Sequence, residues 1–252
     1  MNSIENNIKR VHFIDEVRGV LILYIVWYHL MYDLTVIYGL DMDWVGSAWM
    51  EYIRLTAVSL FVIISGVSCH YSRSNIRRGI KTILWGMVIT LCTILVAPDQ
   101  VILFGILHFM GTAMLLCGLL QNKINEIPVK AGIIISLLLF ILTYNIYDGY
   151  IGIAGIGTIK IHSMFYNKPY LFPFGFSSIG VESADYYPIF PWLFLFLAGN
   201  FFGRGIKRNQ APFFFYNAHS TTLSKIGRHT LIIYLLHQPI ILILLFIIFK
   251  GV

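Results

Sequence analysis

The chain of 252 residues is 58% hydrophobic and only 12% charged, which leaves too little polar surface to cover a water-soluble globule of this size. This composition excludes a soluble enzyme and predicts an all-α bundle whose outer surface contacts membrane lipids. The net charge of +6 does not require a nucleic-acid partner, because most of the basic residues fall in loops, where they set membrane orientation.

Seven apolar stretches have about the length needed to cross a bilayer as helices. The third and sixth are short, and Pro188 and Pro191 predict a kink or tilt where the sixth begins. We expect one domain, 1–252, that is a polytopic bundle of about seven spans. The predicted spans are 19–39, 52–70, 82–97, 101–120, 131–147, 189–203 and 229–249.

The distribution of basic residues predicts the orientation of this bundle. If the N-terminus is cytoplasmic, fourteen of the 18 Lys and Arg residues lie on the cytoplasmic side. The polar stretch 1–17 precedes the first span without a small-residue cleavage site, so we expect that span to be retained. The cysteines at 69, 92 and 117 are isolated within spans and favour neither a disulfide nor a metal site.

Two connections between the spans are long. Segment 148–188 is predicted to be external, is rich in glycine and aromatic residues, and should fold over the mouth of the bundle or dip into it. Segment 204–228 is predicted to be internal and is basic at both ends. Its aromatic residues 213–216 are typical of a stretch that lies on the bilayer surface.

Ionisable side chains concentrate in the first span, although a charge at the membrane centre costs about 2.5 to 3.5 kcal/mol. Arg18 lies at its cytoplasmic edge, and His29 follows eleven residues, or about 16 Å, further along the helix. Asp33 is one turn beyond His29 on the same face, where a carboxylate can orient the imidazole. We predict His29 and Asp33 as a catalytic base and its partner. The alternative is a pair that only joins two spans.

Other polar residues suggest where a donor could bind. Arg10 and Arg18 at the cytoplasmic mouth could grip phosphate groups, since a guanidinium binds them bidentately. Basic runs at 73–81 and 204–208 could do the same, although anionic lipid explains them equally well. His108, within the fourth span, is a further candidate for cofactor binding, and structural hydrogen bonding is its alternative.

Two residues are candidates for binding the acceptor substrate. His237 lies in a span beside Pro239, which frees a backbone carbonyl, so it could bind substrate or satisfy that carbonyl. Asp185 stands at the external start of the sixth span, where it could contact substrate or remain a solvated loop acid. Asn200, inside the same span, is expected to form an interhelical hydrogen bond.

The order of these residues resembles the heparan-alpha-glucosaminide N-acetyltransferase catalytic-domain family and its bacterial membrane relatives. The first span carries the run Asp15-x-x-Arg18-Gly19, followed by His29 and Asp33. Four further blocks follow in the family's order along most of the chain: 60–66 (LFVIISG), 104–108 (FGILH), 184–192 (ADYYPIFPW) and 227–239, which contains GRHTL and HQP.

The resemblance implies acetyl transfer from cytoplasmic acetyl-CoA, as co-substrate, to an amine or hydroxyl of an extracytoplasmic sugar or glycan. It also implies the cytoplasmic membrane of a bacterium as the location. In this interpretation His29 deprotonates the acceptor, Asp33 orients His29 and Arg18 holds the donor. No metal takes part. Direct transfer and an acyl-His intermediate both remain open.

Two other classes of function compete with acyl transfer. A proton-coupled small-molecule transporter would also place a His–Asp pair inside the membrane, although the chain shows no internal repeat. A structural partner of an envelope-assembly complex would use the same residues only for stability or binding.

Overall fold

A computed structural model of the chain describes residues 11–176, 182–209 and 212–249 and is largely helical. The predicted all-α architecture is confirmed, with one two-stranded hairpin added. Short 3₁₀ turns connect some of the elements. The helices and strands are α1 (His12–Val36), α2 (Ala48–Ser68), α3 (Asn75–Val96), α4 (Ile106–Leu119), α5 (Gln121–Glu126), α6 (Val129–Thr143), β1 (Tyr150–Ile153), β2 (Gly157–Lys160), α7 (Ile189–Asn209), α8 (Phe213–Tyr216), α9 (Thr221–Arg228) and α10 (Thr230–Ile248).

Five helices among the described residues are long and apolar enough, by length and composition, to cross a membrane: α1, α2, α3, α7 and α10. The apolar helices α4 and α6 are shorter. Many large apolar side chains are exposed on these helices, such as Val96, which is 83% exposed, and Ile248, which is 67% exposed. A soluble monomer rarely exposes so much contiguous apolar surface, so this surface suits a lipid environment. The number of spans that cross the bilayer stays a prediction.

The helices that contain the predicted third and sixth spans are longer than those spans. Helices α3 and α7 have 22 and 21 residues, whereas α4 and α6 have 14 and 15. Hydropathy truncated α3 and α7 because each has basic residues in its terminal turns, such as Arg77 and Lys207. Such side chains can extend toward water while the backbone remains helical. Helix α4 is short because the chain becomes regular only after Gly105.

The predicted kink at the start of the sixth span is confirmed at Phe190. Its backbone angles, φ −99° and ψ 132°, are extended rather than helical. The cause is local, since the ring of Pro191 disfavours helical angles in the residue before it.

The described residues divide into two compact units, and the boundary falls within α2. One unit comprises the residues up to Phe61 together with those from 212 onward, and the other comprises Val62 to Asn209. In the first unit, α1 packs against α8, α9 and α10. Gly227 allows α9 to approach α1 closely, because a Cβ there would collide with the backbone carbonyl oxygen of Asp15 and lie 3.0 Å from the backbone nitrogen of Gly19.

The second unit contains the helix pairs α3–α4 and α6–α7, and α4 also packs against α7. Helices α3 and α4 meet at Gly79 and Gly111, where a Cβ on Gly79 would lie 2.7 Å from the carbonyl oxygen of Gly111. Small residues at such crossings are typical of helices that pack without a hydrophobic driving force between them.

Within segment 148–188 the described residues are folded, as the length of this connection predicts. Strands β1 and β2 form an antiparallel hairpin, and the hydroxyl of Tyr186 donates to the carbonyl oxygen of Phe172 at 2.6 Å. Their rings stack with centroids 4.4 Å apart, and burial raises the pKa of Tyr186. The position of this segment relative to the bilayer stays a prediction.

The aromatic stretch predicted to be interfacial forms the single-turn helix α8. Phe213 and Phe214 are 80% and 51% exposed, and the rings of Phe214 and Phe215 contact Phe13 of α1. The following helix, α9, begins at the N-cap Ser220, whose hydroxyl accepts from the N–H of Leu223. Lipid contact by α8 stays a prediction.

Candidate active site

Helices α1 and α10 bring four polar side chains together within the first unit. The rings of His29 and His237 have centroids 4.9 Å apart, and Gln238 Nε2 donates to Asp33 Oδ2 at 2.7 Å. Near the ends of the same helices, Tyr38 contacts Phe249. Residue numbers rise together along both helices in these three contacts, so α1 and α10 run parallel at the cluster.

The spacing of residues on α1 explains why these side chains share one face. His29 and Asp33 are four residues apart and lie on one side of the helix. Asp33 is 2% exposed and His237 is 8% exposed, while His29 is half-buried. Buried polar groups are costly unless they are hydrogen-bonded. The buried side chains of the cluster therefore need hydrogen-bond partners.

The hydrogen bond of His237 determines which of its nitrogens carries the proton. His237 Nδ1 lies 2.5 Å from the carbonyl oxygen of Tyr234. A carbonyl oxygen only accepts, so Nδ1 donates, and in the neutral ring Nε2 then holds a lone pair. The carbonyl that Pro239 frees belongs to Leu235, so His237 bonds a carbonyl one residue earlier than sequence suggested.

The structure does not bring the carboxylate of Asp33 to the imidazole of His29. Asp33 bonds Gln238 instead, and His29 forms no hydrogen bond in the part of the chain that the structure describes. The Asp side chain has a single methylene group, so a shared helix face does not guarantee contact with a side chain one turn away. The catalytic roles of His29 and Asp33 stay predictions, and in this structure the Asp33 carboxylate bonds Gln238 rather than His29.

Sequence reasoning missed Gln238 in this cluster and an ion pair in α2. Gln238 stands beside His237, and only the packing of α10 on α1 shows that it holds Asp33. Arg54 and Glu51, near the start of α2, form two hydrogen bonds at 2.7 and 2.5 Å. Their three-residue spacing inside an apolar helix was the available signal.

The predicted donor end of the site is only partly described. Arg10 lies outside the described residues, so its predicted phosphate contact stays a prediction. Arg18 is half-buried, lies 3.9 Å from Asp15, and is separated from His29 by eleven residues. Eleven helical residues rise about 16 Å and return to nearly the same face, so Arg18 and His29 lie along one side of α1.

The first turns of α1 are joined to α9 by a network that sequence did not predict. The carboxylate of Glu16 accepts from the backbone N–H groups of His219 and Ser220 at 2.6 and 2.9 Å. His12 Nδ1 lies 3.4 Å from the hydroxyl of Ser224, which is fully buried. These bonds hold α9 against α1 on the N-terminal side of Arg18.

In the second unit, His108 uses both ring nitrogens in structural hydrogen bonds. Its Nδ1 accepts from the N–H of Gly105 at 3.2 Å, and its Nε2 lies 3.3 Å from the hydroxyl of Thr90. That hydroxyl itself donates to the carbonyl oxygen of Ile102. The cofactor role predicted for His108 has no support in this geometry and stays a prediction.

Asp185 is also engaged, since its Oδ2 accepts from the N–H of Ile106 at 2.9 Å. Ile106 is the first residue of α4, where backbone N–H groups have no partner within the helix. Asp185 therefore caps α4 from a distant part of the chain, and its predicted substrate contact stays a prediction. Asn200 is predicted to bond another helix, and its Oδ1 lies 3.2 Å from Nε2 of His70, in the turn directly after α2.

Among residues 11–176, 182–209 and 212–249, no group of three or more His, Cys, Asp or Glu side chains could hold a metal ion. A family model described as heparan-alpha-glucosaminide N-acetyltransferase, catalytic, matches residues 10–239. No curated protein and no solved structure matches the chain. The matched region includes His29, Asp33, Asp185 and His237.

Proposed function

The chain belongs to the heparan-alpha-glucosaminide N-acetyltransferase catalytic family, a family of membrane acetyltransferases, and we propose that it uses cytoplasmic acetyl-CoA as donor. The acceptor is an amine or hydroxyl group of a sugar or glycan on the other side of the membrane. The membrane is the cytoplasmic membrane of a bacterium, whose lipids contact the exposed apolar side chains of the long helices.

The observation that carries this proposal is the His29–His237 pair between α1 and α10. Two imidazoles with centroids 4.9 Å apart lie well inside apolar helices, one half-buried and one 8% exposed. Imidazole is the side chain best suited to proton transfer near neutral pH. Ionisable groups at such positions mark functional sites more often than structural ones.

In the proposed reaction, a nitrogen of His29 accepts the proton of the acceptor's N–H or O–H group. The acceptor atom attacks the thioester carbonyl carbon, forming a C–N or C–O bond, and the C–S bond breaks. The thiolate leaves and takes the proton back from the His29 imidazolium, so charge and atoms balance. Holding both substrates beside one base supplies much of the rate.

Arg18 supports the direction from which the donor enters. Its guanidinium lies on the same side of α1 as His29, about 16 Å toward the N-terminus. A phosphate group bound there would leave the pantetheine arm directed along α1 toward His29. The Asp15 carboxylate 3.9 Å away holds the guanidinium near this end of the helix.

A transfer assay tests the proposal with purified protein, acetyl-CoA labelled in the acetyl group, and methyl α-glucosaminide as acceptor. We expect labelled N-acetyl product and one CoA thiol released per product. His29→Ala should lower turnover by about 100-fold or more, since general-base catalysis contributes 10²–10⁴-fold. The matched control is His229→Ala, because His229 is an exposed histidine that bonds the carbonyl of Lys225. Wild-type turnover from His29→Ala would show that the proposed base is wrong.

The transporter alternative makes the opposite prediction in sealed vesicles. A transporter would accumulate its substrate in response to a proton gradient without acetyl-CoA, whereas the proposed enzyme would leave the acceptor unchanged under those conditions. Labelled protein recovered after quenching without acceptor would identify a covalent acyl-enzyme intermediate, and its absence from a functional preparation would favour direct transfer.

A further inference from the structure

We propose that His237 is the positioning residue for His29, an inference that rests on the acetyl transfer proposed above. Its Nε2 atom accepts a hydrogen bond from one nitrogen of His29, and the other nitrogen of His29 is thereby left to take the acceptor's proton.

The first step of the argument is the tautomer of His237. Its Nδ1–H donates to the carbonyl oxygen of Tyr234 at 2.5 Å. A buried imidazolium would need a facing carboxylate, and the carboxylate of this cluster, Asp33, is bonded to Gln238. His237 is therefore neutral, and Nε2 can only accept a hydrogen bond.

The second step is that Nε2 of His237 lacks a donor. It is buried and has no hydrogen-bond partner among the described residues. Leaving a buried acceptor without a donor is costly, so a donor within reach is strongly favoured.

The third step identifies that donor as His29. Two imidazoles joined by an N–H···N bond of about 2.9 Å have ring centroids about 5 Å apart, and those of His29 and His237 are 4.9 Å apart. The planes are inclined by 58°, so the proposed bond forms once the half-buried His29 ring turns about its side-chain torsions. His29 has no competing hydrogen bond in the described structure.

The consequence is a chain of fixed tautomers. The Tyr234 carbonyl fixes His237, and His237 fixes His29, with the lone pair of His29 directed toward substrate. When His29 takes the acceptor's proton, its bond to His237 becomes charge-assisted and stabilises the imidazolium. This is the function that sequence reasoning assigned to Asp33, transferred to a residue more than 200 positions away.

Two substitutions separate this role from packing. His237→Gln retains an oxygen near the position of Nε2 that can accept from His29, whereas His237→Leu fills similar space without an acceptor. We expect His237→Leu to lower kcat about 100-fold, within the range of acid–base catalysis, with the KM for acetyl-CoA unchanged. His237→Gln should lose less than about 10-fold. The matched control His229→Leu should retain wild-type kcat.

The outcomes distinguish this inference from the proposed function. If wild-type protein transfers no label to methyl α-glucosaminide, the proposed function fails and the inference falls with it. If wild-type protein is active and His237→Leu equals His237→Gln, or matches wild type, the positioning role alone is refuted. Melting temperatures of both variants, measured in detergent with and without acetyl-CoA, identify loss caused by unfolding. The test does not require His237→Leu to fold, because a folded His237→Gln protein whose kcat falls 100-fold also refutes the positioning role.

Discussion

Replacing Gln238 by Leu should destabilise the protein, because it removes the donor that holds a buried carboxylate. Asp33 is 2% exposed, and the Gln238 amide donates to it at 2.7 Å. A hydrogen bond to a charged group contributes about 1.5–3 kcal/mol, and leaving a buried charge uncompensated raises the loss to about 3–5 kcal/mol. At about 2–4 °C per kcal/mol for a chain of this length, 3 kcal/mol lowers the melting temperature by about 6–12 °C.

The decisive measurement is a double-mutant cycle with Asp33→Leu, read as melting temperature in detergent. Removing both polar groups should cost less than removing Gln238 alone, because the double variant leaves no buried carboxylate without a donor. Gln121→Leu is the matched control, since the Gln121 amide donates to Asn125 at 3.0 Å in an exposed position. The reasoning is refuted if the double variant melts below Gln238→Leu, or if Gln238→Leu is no worse than the control.

Three further predictions concern stability. Gly227→Ala would place a Cβ 2.7 Å from the carbonyl carbon of Asp15 and should lower the free energy of unfolding by about 1–3 kcal/mol. The control Gly46→Ala, with open space around it, should be neutral. Equal melting temperatures for the two variants would contradict the α1–α9 packing. Asp185→Ala should lower the free energy of unfolding by about 0.5–2 kcal/mol through loss of the α4 cap. The control is Glu182→Ala at an exposed position, and equal losses of stability in the two variants would argue against capping. Burial raises the pKa of Tyr186, so above pH 10 the folded protein keeps the phenol proton that the unfolded chain loses. The stability of the folded protein should therefore fall as the pH rises past 10. Tyr186→Phe should flatten this decline in melting temperature, and an unchanged slope would show that another group causes it.

The long apolar helices and the kink before Pro191 could be predicted because both depend on local sequence. Hydropathy is a property of about 20 consecutive residues, and proline restricts the residue directly before it. The same local rules failed at the ends of α3 and α7. There, basic residues lowered the hydropathy of turns that remain helical because long side chains can reach water.

The candidate site shows the limit of such rules more clearly. Sequence identified His29, Asp33 and His237 from the cost of polar groups in spans, and the family match covers all three. It could not identify the partner of Asp33, because helix spacing specifies a shared face but not which neighbouring helix supplies a donor. Gln238 is 205 residues away and meets Asp33 only because α10 packs parallel to α1.

Sequence by itself therefore determined that this protein is a membrane helical bundle of a known acetyltransferase family, with its ionisable residues concentrated in one span. Tertiary structure decided what each of those residues touches. It assigned His108 and Asp185 to the start of α4, Asp33 to Gln238, and His237 to the position beside His29. The physical reason is the distance over which each effect acts, since the cost of burying a polar residue can be read from that residue and its neighbours in the sequence. A hydrogen bond, by contrast, needs two groups that packing brings within about 3 Å.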